Sequence, residues 1–470
     1  MTSVSGDGQG VLGGAWRCVA GELCCEEHSA SALAARFGTP LHVISGARLL
    51  ENSRQLKAAF TRHWPAGEVQ LLPSLKANFV LAVRQLLNQE RLGCDVFGSH
   101  ELSAALRAGV PGAQISVNGS CKDPQVIAAA IEAGAYLTLD SEHELDLAMT
   151  AAERLGKRAR IRLRLRPDHE RLTQPSDFFP DMTIRDAAQI YKPGIEPSAA
   201  VAIGRRALLH PGLELTGLMT HLGRHSADPR VWSAMARGFG ELVAQLCRLW
   251  APWRPQELDV GGGLPAATDP TSPHRARAAQ LDAYAAAIGS SLRAALAEGG
   301  VNPQGVTLQV EPGRSLFADA GLHLARVCHI KRQTRPVARV WVELDTSEVF
   351  LPDLVWERAH FRPVFAARAE EPPIQVVDLV GISCNFDILA RDVAAPRVEV
   401  GEVVAFLDTG AYQDAGASNF NALGRPGTLL IDGGVARMVK RAETLDDVLA
   451  RDQVPARDEV VPRNGAQGVK

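Results

Sequence analysis

From Thr39 onward the chain alternates two kinds of apolar pattern. Short runs rich in Val, Ile and Leu occupy residues 41–45, 69–75, 92–97, 115–119, 136–140, 160–165, 215–221, 258–261 and 307–311, and each predicts a buried strand. Longer stretches lie between them, such as 47–63, 80–89, 101–108 and 231–250. Their apolar residues recur every three or four positions, the spacing of a helix packed on one face. Strands and helices in strict alternation imply parallel βα units joined by right-handed crossovers. Roughly eight or nine such units in about 270 residues fit a closed (β/α)8 barrel better than an open sheet.

The rhythm changes after about Arg314. Residues 337–344, 374–380, 403–407 and 428–431 are β-type, with turn residues and little helix between them, which predicts a separate, mostly antiparallel β domain. The predicted layout is a barrel over 39–312, a C-terminal β domain over 313–450, and a polar, Pro- and Gly-containing tail over 451–470 expected to be disordered. Residues 1–38 are expected to join the β domain, because a closed barrel has no free edge to accept them. Among 470 residues, 46% are hydrophobic and 22% charged, enough for a sizeable core. A net charge of -3 and only 5% aromatic residues argue against nucleic acid as a partner, and no apolar run reaches membrane-spanning length. Eight cysteines without paired spacing, behind a polar N-terminus, suggest free thiols in a reducing cytoplasm. No metal site is expected.

Barrel enzymes carry their chemistry where strands end. Lys76 closes the run 69–75; a lysine there suits a lowered pKa and a covalent link to a carbonyl, or is simply a surface lysine at a strand end. His221 closes another strand, either to lie flat against a ring or as a buried structural histidine. Gly261, Gly262 and Gly263 let backbone N–H groups approach a phosphate, although most glycine runs are turns. Glu311, Gly313 and Arg314 end the last strand with an acid and a base, which an ion pair alone would explain. On successive strand ends the set meets one joint requirement: a phosphorylated, aldehyde-bearing ring with a basic nitrogen, that is, pyridoxal phosphate.

On these residues the chain resembles the barrel-type pyridoxal-phosphate decarboxylases that include diaminopimelate, ornithine and arginine decarboxylases, and among them it is most similar to diaminopimelate decarboxylase. The shared motifs run from Gly38-Thr39-Pro40-Leu41 through Leu75-Lys76-Ala77-Asn78, Gly93-Cys94-Asp95-Val96, Tyr191-Lys192-Pro193-Gly194-Ile195 and His221-Leu222-Gly223. They continue with Asp259-Val260-Gly261-Gly262-Gly263, Glu311-Pro312-Gly313-Arg314, Cys384, Gly410-Ala411-Tyr412 and Ala417-Ser418-Asn419-Phe420-Asn421. The resemblance implies that Lys76 carries the cofactor, His221 stacks on its ring, and Gly261 to Gly263 with Gly313, Arg314 and Tyr412 hold the phosphate region and substrate. It implies that Glu311 keeps the ring nitrogen protonated, which favours decarboxylation over the racemisation of related barrels that place an arginine there. It implies that Cys384, supplied from the partner subunit of a homodimer, returns a proton after decarboxylation.

Departures from the family pattern concern the substrate. Where relatives follow the cysteine with a glutamate for the distal ammonium, this chain has Asn385, with Asp387 as a doubtful replacement. Where relatives grip the distal carboxylate with an arginine and a tyrosine, the stretch Leu351-Pro352-Asp353-Leu354-Val355 has neither. Arg358 and Arg362 are the nearby candidates, though both also read as surface arginines. Each lost charge-assisted contact costs about 1.5–3 kcal/mol for diaminopimelate. Arg224 stands where relatives have serine, and Gln413-Asp414 is polar where they are apolar or small. The expectation is a decarboxylase of an amino acid or amino-acid conjugate with altered distal contacts, suited to a siderophore or other specialised-metabolite pathway. The alternatives are a genuine meso-diaminopimelate decarboxylase of lysine biosynthesis, an amino-acid racemase, and a non-catalytic regulatory homologue, against which the joint presence of Lys76, Glu311 and Cys384 speaks.

Overall fold

The computed structural model describes residues 11–13, 15–177, 179–221, 223, 226–266 and 281–453. Eight parallel strands form its first sheet: Val69–Leu71, Cys94–Val96, Ile115–Val117, Tyr136–Leu139, Ala159–Arg164, Leu213–Met219, Glu257–Asp259 and Thr307–Val310. The last pairs with the first, Leu308 opposite Val69. The first reaches the second through the parallel bridge Ser74–Asp95 and the hydrogen bonds Gly93 N–H to Leu71 O and Asp95 N–H to Pro73 O, both 3.1 Å. The barrel is therefore closed.

Its helices start and stop where local chemistry dictates. Asp123 and Asp228 accept first-turn N–H groups and are followed by proline at the first helical position, while Ser141 caps Glu142–Leu155. Gly134 and Gly156 end two helices in the left-handed conformation that glycine adopts without cost. Helix Pro229–Leu249 buries Val231, Met235, Phe239, Val243 and Leu246, a stripe at helical spacing against the barrel wall.

The second sheet is mostly antiparallel, in the order Ile388–Ala395, Gln375–Val380, Arg339–Leu344, Gly321–Gln333, Leu41–Ser45, Gly427–Asp432 and Val435–Lys440. Here the sequence reading needs correction. Leu41–Ser45, predicted as the first barrel strand, pairs antiparallel with Gly321–Gln333 and parallel with Gly427–Asp432. All five of its residues are buried, and a short apolar run is the same whichever sheet receives it. The 13-residue strand Gly321–Gln333, not singled out from sequence, pairs with Val403–Leu407 along one half and Arg339–Leu344 along the other. Trp16, Leu23 and Leu33 of the N-terminal segment pack with Leu41, Leu322 and Leu407 of this sheet. Of the predicted tail, residues 454–470 lie outside the described residues. Among the described residues, no helix is long and apolar enough to cross a membrane.

Candidate active site

The floor of the site is a buried polar layer inside the barrel. Arg162, on a strand whose alternate residues face inward, is wholly buried. Its Nη1 donates to Asp259 Oδ2 at 2.8 Å and to Gln309 Oε1, its Nε to Thr138 Oγ1 at 3.2 Å, and its Nη2 to Ser116 Oγ and Asn118 Oδ1. Asn118 is thereby fixed with its amide nitrogen pointing two ways, donating to Asp95 Oδ1 at 2.8 Å and to Glu311 Oε1. Ser74 Oγ donates to the other oxygen of Asp95 at 2.6 Å.

Above this floor opens a cavity of about 430 Å³ lined by Lys76, His221, Gly262, Gly263, Glu311 and Arg314, with Tyr412, Asp353 and Trp356 from the second domain. Lys76 sits in a short 3-10 turn, Leu75–Ala77, beyond the end of its strand, and its Nζ lies 3.6 Å from Asp95 Oδ2. The glycines are required by space. A Cβ on Gly262 would lie 2.2 Å from Glu311 O, and one on Gly313 would lie 2.5 Å from the Tyr412 hydroxyl. Tyr412 itself has a φ of 69°, and its N–H donates to Ala77 O at 2.7 Å, tying the second domain to the Lys76 turn. A glycine cradle open to a phosphate, a lysine at the mouth and a buried carboxyl in the floor suit a phosphorylated, aldehyde-bearing ring with a basic nitrogen.

The electrostatics revise one expectation. Burial opposes charge on Lys76, but Asp95, with Tyr412, Glu311 and Glu101, outweighs it and raises the ammonium above the ordinary lysine range, where the strand-end position suggested a lowered value. Glu311 is raised too: burial first, then Asp259 and Asp95, push its carboxyl well above the usual range against the pull of Lys76 and Arg162. Burial raises Asp259 as well, opposed by Arg162 and by the Gly261 N–H that donates to it at 2.9 Å. Both carboxyls are thus shifted toward the protonated form, each raised by its own burial and Glu311 also by the charge of Asp259.

The remaining sequence-predicted residues divide. Asp387 is buried and accepts from Ser347 Oγ and from the N–H groups of Glu348 and Ser383, so its carboxylate holds its own loop. Asn385 donates its amide to Glu348 Oε1. Cys384 is exposed, away from its own chain's cavity, and is held by Asn421, whose Oδ1 accepts the Cys384 N–H at 2.9 Å. Arg358 and Arg362 are exposed and line no part of the cavity, and Arg224 lies outside the described residues. Sequence reasoning passed over Arg162, Asn118 and Asp353. The alternation Arg160-Ile161-Arg162-Leu163-Arg164 was the available signal, since it gathers three arginines on one face of a barrel strand.

The raised carboxyl makes a measurable prediction for the cofactor-free protein. A carboxyl whose folded pKa exceeds its unfolded one takes up a proton on folding, so its stability contribution is full below the unfolded value and is lost as pH rises toward the folded one. Melting temperatures of wild type and Glu311→Gln are expected to diverge as pH rises above the ordinary glutamate value of about 4.3, in favour of the variant. Parallel curves over that range would contradict the assignment.

Comparison with known proteins places this geometry. The sequence model of the family described as "Pyridoxal-dependent decarboxylase, pyridoxal binding domain" matches residues 47–318. The diaminopimelate decarboxylase of Methanocaldococcus jannaschii is 30% identical over 93% of this chain and 96% of its own, and that of Actinosynnema pretiosum is 31% identical over 92% and 93%. The crystal structure of the M. jannaschii enzyme superposes with a TM-score of 0.84 at 28% identity, covering 94% of this chain and 98% of that one. The chain thus belongs to the barrel-type pyridoxal-dependent decarboxylases, amino-acid carboxy-lyases whose cofactor is pyridoxal phosphate.

Proposed function

We propose that this decarboxylase acts on an amino acid or amino-acid conjugate whose distal end differs from that of diaminopimelate, as a cytoplasmic homodimer with shared active sites. One observation carries the reading. At the two positions where the family resemblance expects a distal-carboxylate arginine and tyrosine stand Leu351, fully buried, and Val355, exposed, and neither offers a polar atom. Asn385, where a glutamate is expected, carries no charge, and Asp387 does not replace it. The alternative, meso-diaminopimelate decarboxylation, draws on the relatives' names and near-full-length similarity at about 30% identity. The exposed cysteine loop, with Phe386 at 91% exposure beside Cys384, supports a site completed by a second copy, and eight unpaired cysteines support a reducing compartment.

The family resemblance implies the roles of the chain's residues, and their common place on the cavity wall supports them. Gly262, Gly263, Gly313 and Tyr412 would hold the phosphate, His221 a ring face, and Glu311 the ring nitrogen. Bound there, the cofactor supplies an electron-withdrawing ring that accepts the electron pair left when CO2 departs. Lys76 rests as an ammonium and must release a proton to act as a nucleophile, and Asp95 Oδ2 at 3.6 Å is within reach. Burial, with the Asp259 and Asp95 carboxyls in the floor, pushes Glu311 toward its protonated form, so it presents a donor to a basic ring nitrogen. Cys384 Sγ, fixed by Asn421 Nδ2 at 3.3 Å, is the proton donor for the second copy's site.

CO2 release by the cofactor-loaded enzyme from meso-diaminopimelate, L-lysine, L-ornithine, L-arginine and L-glutamate tests the substrate reading. The expected result is no preferential turnover of diaminopimelate, whereas fast release from diaminopimelate alone establishes the alternative. The shared site is tested by mixing inactive Lys76→Ala and slow Cys384→Ala subunits. Mixed dimers are expected to recover part of the wild-type activity, and verified mixed dimers without recovery would contradict a site built from both copies.

A further inference from the structure

We propose that Asp353 determines which substrates the site accepts, by standing in for a distal carboxylate at Arg314; this rests on the substrate reading above. Arg314 and Asp353 both line the cavity, yet their side chains are each only 3% exposed, and Arg314 Nη1 donates to Asp353 Oδ2 at 2.8 Å. The guanidinium also lies over the Tyr412 ring, 4.9 Å from its centroid. The active-site arginine therefore already holds a carboxylate, and that carboxylate belongs to the protein.

The surroundings show a built arrangement. Asp353 opens the short helix Asp353–Trp356, and its N–H donates to Gln413 Oε1 at 3.3 Å. Gln413 is buried and donates its own amide to Ala411 O at 2.8 Å, next to Tyr412. Trp356 packs so closely on Gly416 that a Cβ there would lie 2.7 Å from its ring. Gln413, which departs from the family pattern in the sequence, thus holds the residue that pairs with Arg314.

A second carboxylate brought to Arg314 by a substrate would have to displace Asp353 or sit beside it as a like charge, and either is unfavourable in a desolvated pocket. Leu351 and Val355 give it no other partner, and Glu357 adds a further acid to the cavity wall. The substrates that fit are amino acids or conjugates that bring no carboxylate of their own to Arg314.

Meso-diaminopimelate and L-lysine differ by one carboxylate, so the ratio of their affinities reports on this contact. It is read from the change in visible absorption of the holoenzyme as each is added to wild type, Asp353→Ala and Asp353→Asn. Both variants are expected to shift the ratio toward diaminopimelate, Asp353→Ala by about tenfold or more, with lysine binding little changed. Asp353→Asn keeps the side chain's shape and decides the matter if the alanine variant does not retain its cofactor. An unchanged ratio, or an effect on cofactor affinity alone, overturns the role of Asp353. Fast turnover of diaminopimelate by wild type would instead overturn the substrate reading, so the two failures are distinguishable.

Discussion

The buried guanidinium of Arg162 is the interaction on which the site depends. It lies in the closed interior of the barrel with no access to water, and its hydrogen bonds fix Asp259, Gln309, Thr138, Ser116 and Asn118 at once. Removing one partner from such a buried charge costs about 3–5 kcal/mol, so the layer holds together as a unit. Asn118 passes that order upward: held from below by Arg162 and Ser116, it sets Asp95 under Lys76 and Glu311 further across the floor. Both raised pKa values of the site follow from this placement. Burial, with the Asp259 and Asp95 carboxyls, pushes Glu311 toward its protonated form, while Asp95 leads the groups that hold the charge on Lys76.

The second domain finishes what the barrel begins. Tyr412 is delivered in a strained left-handed conformation and anchored on Ala77 O, and Asn78 Nδ2 donates back to Gly410 O at 3.2 Å. Arg314 and Asp353 add an ion pair across the same junction. These contacts flank the cavity, so the orientation of the two domains and the shape of the substrate pocket are set by the same few bonds. A site whose parts rest on strands and on a fixed domain junction needs little reorganisation to be ready for chemistry.

What was legible in the sequence was whatever stands at a strand end. Lys76, His221, Gly262, Gly263 and Glu311 follow apolar runs, and the barrel brings them to one cavity, although Lys76 occupies a turn rather than the strand terminus. Leu41–Ser45 was misplaced because burial on both faces writes the same short, mostly apolar run in a barrel as in the second sheet. Asp387 looked like a replacement charge because sequence shows that a carboxylate is present but not that three donors already occupy it. Asp353 was passed over for a related reason: its partner Arg314 is 39 residues distant, and the helix that aims it depends on Gln413, 60 residues further on.

The central claim is that Lys76, above the floor organised by Arg162, is the lysine that carries the cofactor. Borohydride reduction of the cofactor-loaded enzyme, followed by peptide mass mapping, tests it most directly. The account predicts a single pyridoxyl group per chain, on the peptide containing Lys76. A label on another lysine, or one spread over several, would contradict it.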